Sequence, residues 1–310
     1  MFLSLALSLL LLAQALAGCV QPVAVAPPAT SPPASIILIP GEEDTSVRVH
    51  MLALNISNPT RTQIEAGYQE HIDAVTAQGG LVIMNHPDEA PWTIALGELM
   101  TFKNYTGIEL SYDSHSKWDA VLTGRVDSGA PLVWGLMTDD SHREAGCGWR
   151  FIMVRAPAAT MEDIIDAIRQ GSFYWGSAAL INDITLTGRD LNVTLSEPAD
   201  VQFITSGGKV AKEAHGSTAS YAIQGNEGYV RVDVRAGSRR EAGTQPFRVT
   251  PTGIDNPYAA SGQWYRGNLH AHTLTSDGTQ SADQVIRWYS DHGYTFLAIT
   301  DHVHWNVTGP

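Results

Sequence analysis

A chain of 310 residues with ordinary apolar and charged content can bury one sizeable core and carry a smaller second unit. Its formal net charge of −13 argues against a surface built to coat nucleic acid, which needs a basic face, so no nucleic-acid polymer is expected as a partner. The two cysteines, Cys19 and Cys147, exclude a disulfide framework, whereas eleven histidines are a generous supply of imidazole.

Residues 1–19 form an apolar run ending in Leu16-Ala17-Gly18-Cys19. Such a run reads as a membrane span, a buried helix or a secretion signal; the small residues before Cys19 and the Pro/Ala/Ser-rich tract after it favour export. It resembles a bacterial lipoprotein signal, which implies an exported protein held to a membrane, periplasmic or at the cell surface, through a lipidated Cys19. Residues 20–35, with five prolines and no charge, read as an extended tether.

Residues 36–40 are expected as a short buried strand leading into Gly41-Glu42-Glu43, where a carboxylate sits at the strand's mouth; alone, that is a solvated turn. Residues 49–55 form the next strand, entered by His50, for which a surface position is the rival reading. Ile64, Tyr68, Ile72 and Val75 recur at helical spacing over residues 63–78, with His71 expected on the surface. Residues 81–86 are a buried strand stopped by Pro87, which leaves His86 at its end. Residues 92–100 read as a helix or lid, 105–110 as a strand carrying Glu109, 118–128 as a helix, and 132–137 as a strand running into Asp140-Ser141-His142. His115 falls in a loop. Arg143 follows as an oxyanion contact or a surface residue, and Cys147 as a structural thiol. Thr160, Glu162 and Asp163 open a helix over residues 159–170.

From residue 181 to 249 short alternating runs separated by Gly, Asp and Asn predict a small antiparallel β domain without a ligand cluster. Residues 250–263 read as a linker. The last segment, 264–310, holds His270-Ala271-His272, then Ser276-Asp277-Gly278, a helix over 282–292 and a buried strand over 294–300 ending in Asp301-His302. Histidines two apart on a strand share a face, and convergent imidazoles are what a transition metal needs.

The stretches 268–278 and 298–302 resemble the opening motif of the PHP (polymerase and histidinol phosphatase) metallophosphoesterase family. Asn85-His86-Pro87, Glu43 and the Asp140–His142 pair are similar to its later motifs. The resemblance implies an α/β fold, a distorted seven-stranded (β/α) barrel over residues 36–180 and 264–310, with the segment 171–176 closing it. It implies two or three divalent ions (Zn, Mn or Fe) on Glu43, His50, His86, Asp140, His142, His270, His272, Asp277 and His302, with Glu43 bridging. Glu109 matches an acid that supports the site. Asp301 is expected to orient His302 or to act on a bound water, and Arg143 to meet phosphate. The family's opening motif stands last here, so the barrel is expected to be circularly permuted. The rival arrangement is a cut first unit followed by the start of a second.

Mixed nitrogen and oxygen ligands suit Zn²⁺, Mn²⁺ or Fe²⁺ and the activation of a water. Three functions are therefore carried forward: a phosphoesterase acting on a small phosphorylated substrate, an amidohydrolase-like hydrolase of a non-phosphate bond, and a surface-anchored binding module without turnover.

Overall fold

The computed structural model describes residues 36–45, 49–60, 67–111 and 114–303. The signal, the tether and Cys19 lie outside the described residues. No helix among the described residues is long and apolar enough to cross a membrane.

The chain begins with β1 (Ile37–Asp44) and β2 (Met51–Leu54), then α1 (Tyr68–Ala77), β3 (Leu81–Met84), α2 (Leu96–Thr101), β4 (Gly107–Glu109), α3 (His115–Asp127) and β5 (Trp134–Leu136). It continues through β6 (Phe151–Ala156), α4 (Met161–Arg169) and β7 (Phe173–Gly176). An antiparallel run follows: β8 (Ile181–Thr187), β9 (Asp190–Thr205), β10 (Lys209–Ala222), β11 (Tyr229–Ala236), β12 (Arg240–Thr244), β13 (Phe247–Thr250) and β14 (Gly253–Asp255). The chain then returns through β15 (Gln263–Asn268), α5 (Ala282–Asp291) and β16 (Phe296–Ile299). Two helix starts carry the caps their sequences announce. The Thr160 hydroxyl accepts from Asp163 N at α4, and Ser281 and Gln284 cap α5 reciprocally.

β1 serves two neighbours in succession. Ile37–Pro40 runs parallel to β16, and Gly41–Asp44 runs antiparallel to β2. The changeover is tight, because a Cβ on Gly41 would lie 2.9 Å from the Leu54 side chain and 3.1 Å from the Ala53 carbonyl oxygen. The strand therefore runs past the expected stop at Pro40. Its continuously buried part is Glu42–Asp44; before it Ile39 is buried, whereas Leu38 is 48% exposed. From β1 the ladder continues β2–β3–β4–β5, the last two steps parallel, and on the other side β16–β15–β6–β7–β12–β11–β9–β10.

This path is one mixed sheet, and it does not close into the expected barrel. β7, the segment 171–176 expected to close it, lies antiparallel to β6 and takes β12 as its other partner. The backbone of β5 is satisfied across the gap by a side chain. Gly135 N donates to Gln245 Oε1 (2.9 Å), and Gln245 Nε2 donates to the Gly135 carbonyl (2.7 Å). A buried strand edge needs partners for its polar groups, and here one amide stands in for a strand.

Other expectations are corrected at element scale. The runs at 191–195 and 201–204 are one long strand, β9, and β10 and β6 were not among the expected elements. The expected linker holds β14 and the start of β15. His115 opens α3 instead of lying in a loop. His71 is not on the surface: its ring is fully buried, with Nδ1 3.6 Å from the equally buried Asp44 carboxylate.

Candidate metal centre

The topology delivers several strand mouths to one rim. β3, β4, β5, β15 and β16 end there, so His86, Glu109, Asp140, His142, His270, His272 and His302 stand at or just beyond carboxyl ends. β2 runs antiparallel to both neighbours, with Met51 opposite Asp44 and Met84, so the residue just before it, His50, reaches the same rim. Parallel bridges between Glu43 and His302 and between Ser141 and Ala271 stitch the mouths together.

Glu43 is the centre. It is 1% exposed, and its two oxygens face different imidazoles. Oε1 lies 3.3 Å from His50 Nδ1 and 3.5 Å from His86 Nε2, and it accepts a 2.7 Å hydrogen bond from Asn85 Nδ2. Oε2 lies 3.4 Å from His270 Nε2, 3.5 Å from His272 Nε2 and 2.9 Å from His302 Nδ1. Asp140 Oδ1 reaches the H-x-H pair at 3.2 Å and 3.0 Å. Asp277 Oδ2 sits 3.2 Å from His142 Nε2 and 3.3 Å from His302 Nε2.

Among the described residues three groupings emerge whose donor atoms lie within 4.8 Å of one another: Glu43 with His50 and His86; Glu43 with His270 and His272; and His142, His272, Asp277 and His302. The donor chemistry fits divalent ions. A carboxylate shared between two sets of imidazoles is a bridging arrangement, and mixed N/O sets suit zinc, manganese or iron. Two of the four non-glycine residues at positive φ among the described residues lie at the same place. His86 (φ 23°) and Asp140 (φ 46°) hold left-handed conformations that a side chain disfavours, and such outliers cluster at functional sites.

Charge balance follows from this crowding. Burial of Glu43 opposes ionisation, but the charge and hydrogen bond of His270, with bonds from His302 and His50, hold its carboxyl well below the ordinary carboxylate range. Burial likewise opposes a charge on His270, yet Asp140, Glu43 and Glu109 hold it well above the ordinary imidazole value. His272 goes the other way, lowered first by burial and partly restored by Asp140.

Around these groups lies a supporting layer that spacing alone did not reveal. Glu109 Oε1 is 3.3 Å from His270 Nδ1 and also accepts from the Thr138 hydroxyl, while its Oε2 accepts from His86 N at 3.0 Å. Asp139, half-buried and raised by that desolvation, accepts from Gly148 N, Arg150 N, Tyr289 OH and Asn268 Nδ2 at 2.6–2.8 Å. Asn268 Oδ1 in turn accepts from His270 N (2.9 Å), so Asp139 aims the H-x-H strand through one amide. Asp301 accepts from Thr273 N, Thr273 Oγ1 and Ser276 Oγ, each at 2.7 Å, fixing the turn that carries Asp277. Gly278 lets that turn press on the strand, since a Cβ there would lie 2.6 Å from the His272 carbonyl carbon.

Arg143 is exposed beside His142, at the start of a short 3-10 turn, Glu144–Gly146. His115 lies elsewhere, 3.8 Å from Asp233 on β11. Cys147 is buried in its loop, and burial pushes its thiol up. One unexpected neighbour is Trp92, 36% exposed, whose ring centroid lies 4.8 Å from that of His50 and 6.1 Å from that of His86.

No family model and no curated protein matches the chain. Among solved structures it is similar to a two-domain protein from Bacteroides vulgatus, described as containing a predicted PHP-like metal-dependent phosphoesterase. The match is 14% identical, covers 74% of each chain and has a TM-score of 0.35. At that level the likeness assigns no activity to this chain.

Proposed function

We propose that this chain is a metal-dependent hydrolase, a phosphoesterase cleaving a small phosphomonoester or phosphodiester with two or three divalent ions. The observation that carries it is Glu43, buried with each oxygen turned to a different set of imidazoles. Ions bound there supply Lewis acidity for a substrate oxygen and lower the pKa of a bound water. The chain's own groups prepare the site. Glu109 engages Nδ1 of His270 and so leaves Nε2 turned toward Glu43 and Asp140. Asp301 holds the Asp277 turn, Trp92 covers the His50–His86 side, and Arg143 suits an oxyanion at the open side, next to His142. Phosphate as the substrate group rests on the resemblance of the motifs. A circularly permuted order of PHP-type motifs, on an open sheet, draws support from β16, which pairs with β1 and brings the opening motif beside the strand of Glu43.

The test measures metal content and turnover of p-nitrophenyl phosphate and bis(p-nitrophenyl) phosphate by the purified chain, beside a His270→Ala/His272→Ala variant. Two or more ions per chain, with turnover lost in the variant, is the expected result. Metal binding without phosphoester turnover, but with turnover of an ester or amide, would move the reaction to a carbon centre. Absence of metal would overturn the reading.

A further inference from the structure

The surface beside the metal centre carries a second feature that the hydrolytic chemistry does not use. A groove of about 750 Å³ runs between the 146–150 loop and the β11–β12 hairpin, with Ser177 at the end of β7 also in its lining. Four arginines line it, Arg150 from the loop and Arg235, Arg239 and Arg240 from the hairpin, against the carboxylates of Asp139 and Glu241. In a chain with only 19 lysines and arginines and a net charge of −13, that concentration reverses the local sign.

The groove is built, not frayed. Asp139 spends its charge on Gly148 N and Arg150 N, which pins the loop. Trp149 lines the same groove and is 63% exposed, yet its indole N–H donates to the Ala145 carbonyl at 2.8 Å, so a large apolar face is held in place toward solvent. On the facing wall the Ser177 hydroxyl donates to the Arg239 carbonyl (3.0 Å) and accepts from Glu241 N (3.1 Å), anchoring the hairpin to β7. Arg240 pairs with Glu197; Arg150, Arg235 and Arg239 are exposed.

We infer that this groove is a binding site for a short oligoanion carrying two or more phosphate or sulfate groups. Guanidinium forks match the oxygens of both groups, and several forks on two facing walls suit a ligand with separated charges better than a single ion. The Trp149 face offers a platform for a ring between those charges. Binding here is independent of hydrolysis at the metal centre and is read without turnover.

The experiment titrates the full chain with inorganic tripolyphosphate and, separately, with a heparin tetrasaccharide, by calorimetry at low salt. An Arg235→Ala/Arg239→Ala variant and Trp149→Ala are run in parallel, with p-nitrophenyl phosphate turnover as the control. The arginine variant is expected to bind about tenfold or more weakly with turnover unchanged, and wild-type affinity is expected to fall as salt rises. Preference for tripolyphosphate identifies a phosphate chain. Preference for the tetrasaccharide, lost with Trp149, identifies a sulfated sugar. Equal binding by wild type and the arginine variant, or no binding of either probe by the wild type, overturns the inference.

Discussion

Glu109 makes no claim as a ligand, yet it touches two of them, His270 through its carboxylate and His86 through the backbone N–H. Burial would neutralise it, but the charge and hydrogen bond of His270, then the charge of His86, hold it below the ordinary carboxylate value. Glu109→Gln keeps the shape and removes the charge that fixes which His270 nitrogen faces the centre. Metal affinity, measured by competition with a chelator, is expected to fall about 10–100-fold while the fold survives; unchanged affinity would remove Glu109 from the centre's support. His86, Asp140, His142, His270 and His272 were legible because their spacing is local: H-x-H, D-x-H and a histidine stopped by proline report a shared face or a strand end from a few letters, whereas Glu43, alone a solvated turn, took its place only from the family resemblance. Asn85, Thr138, Asp139 and Asn268 were not legible, because each acts on a partner that only the folded sheet brings near, Asn268 reaching back 129 residues to Asp139.

Among the elements, two interactions hold the open sheet together, and each predicts a cost. Arg231 on β11 is 1% exposed and bonds Asp119 of α3 through Nε (2.9 Å) and Nη2 (2.8 Å), and Asp233 through Nη1. Arg231→Ala leaves the buried Asp119 and the half-buried Asp233 without that cation and is expected to cost about 3–5 kcal/mol in urea denaturation. Asp233 is pushed up by burial and pulled much further down by Arg231, so it lies well below an ordinary aspartate. Its contribution is present above the unfolded value of about 4 and disappears as pH falls below that. The wild type should therefore lose stability on acidification that Asp233→Asn does not; parallel acid titrations would refute the network. Gln245→Ala deprives the Gly135 backbone of both partners at the edge of β5, for an expected loss of about 1–3 kcal/mol. The strands beside the site could be read from apolar runs ending in ligands. The gap beside β5 could not, since nothing in Thr244-Gln245-Pro246 says that an amide replaces a strand, and the reversal of β7 depends on β12, about 65 residues later in the chain.

At the scale of the whole molecule, the centre gathers groups from residue 43 to residue 302, on strands whose sheet is not closed. Ions held there would cross-link β1, β3, β5, β15 and β16 in the native state alone, so their binding free energy adds to folding. At free metal a hundredfold above Kd the gain is about 2.7 kcal/mol per site, or roughly 4–5 °C in Tm for a chain of this size. The gain also has a pH dependence with a definite sign. In the metal-free chain His270 is raised, so the stability it supplies is complete below the ordinary imidazole value and is lost as pH rises through its own. A metal must displace that proton, so binding tightens over the same interval. The melting temperatures of metal-loaded and chelated protein should therefore separate further between pH 6 and pH 8, with protons released into a weak buffer when metal is added back. Coincident melting curves with and without chelator across that range would mean that the imidazoles around Glu43 are a buried ion-pair network and not a metal centre.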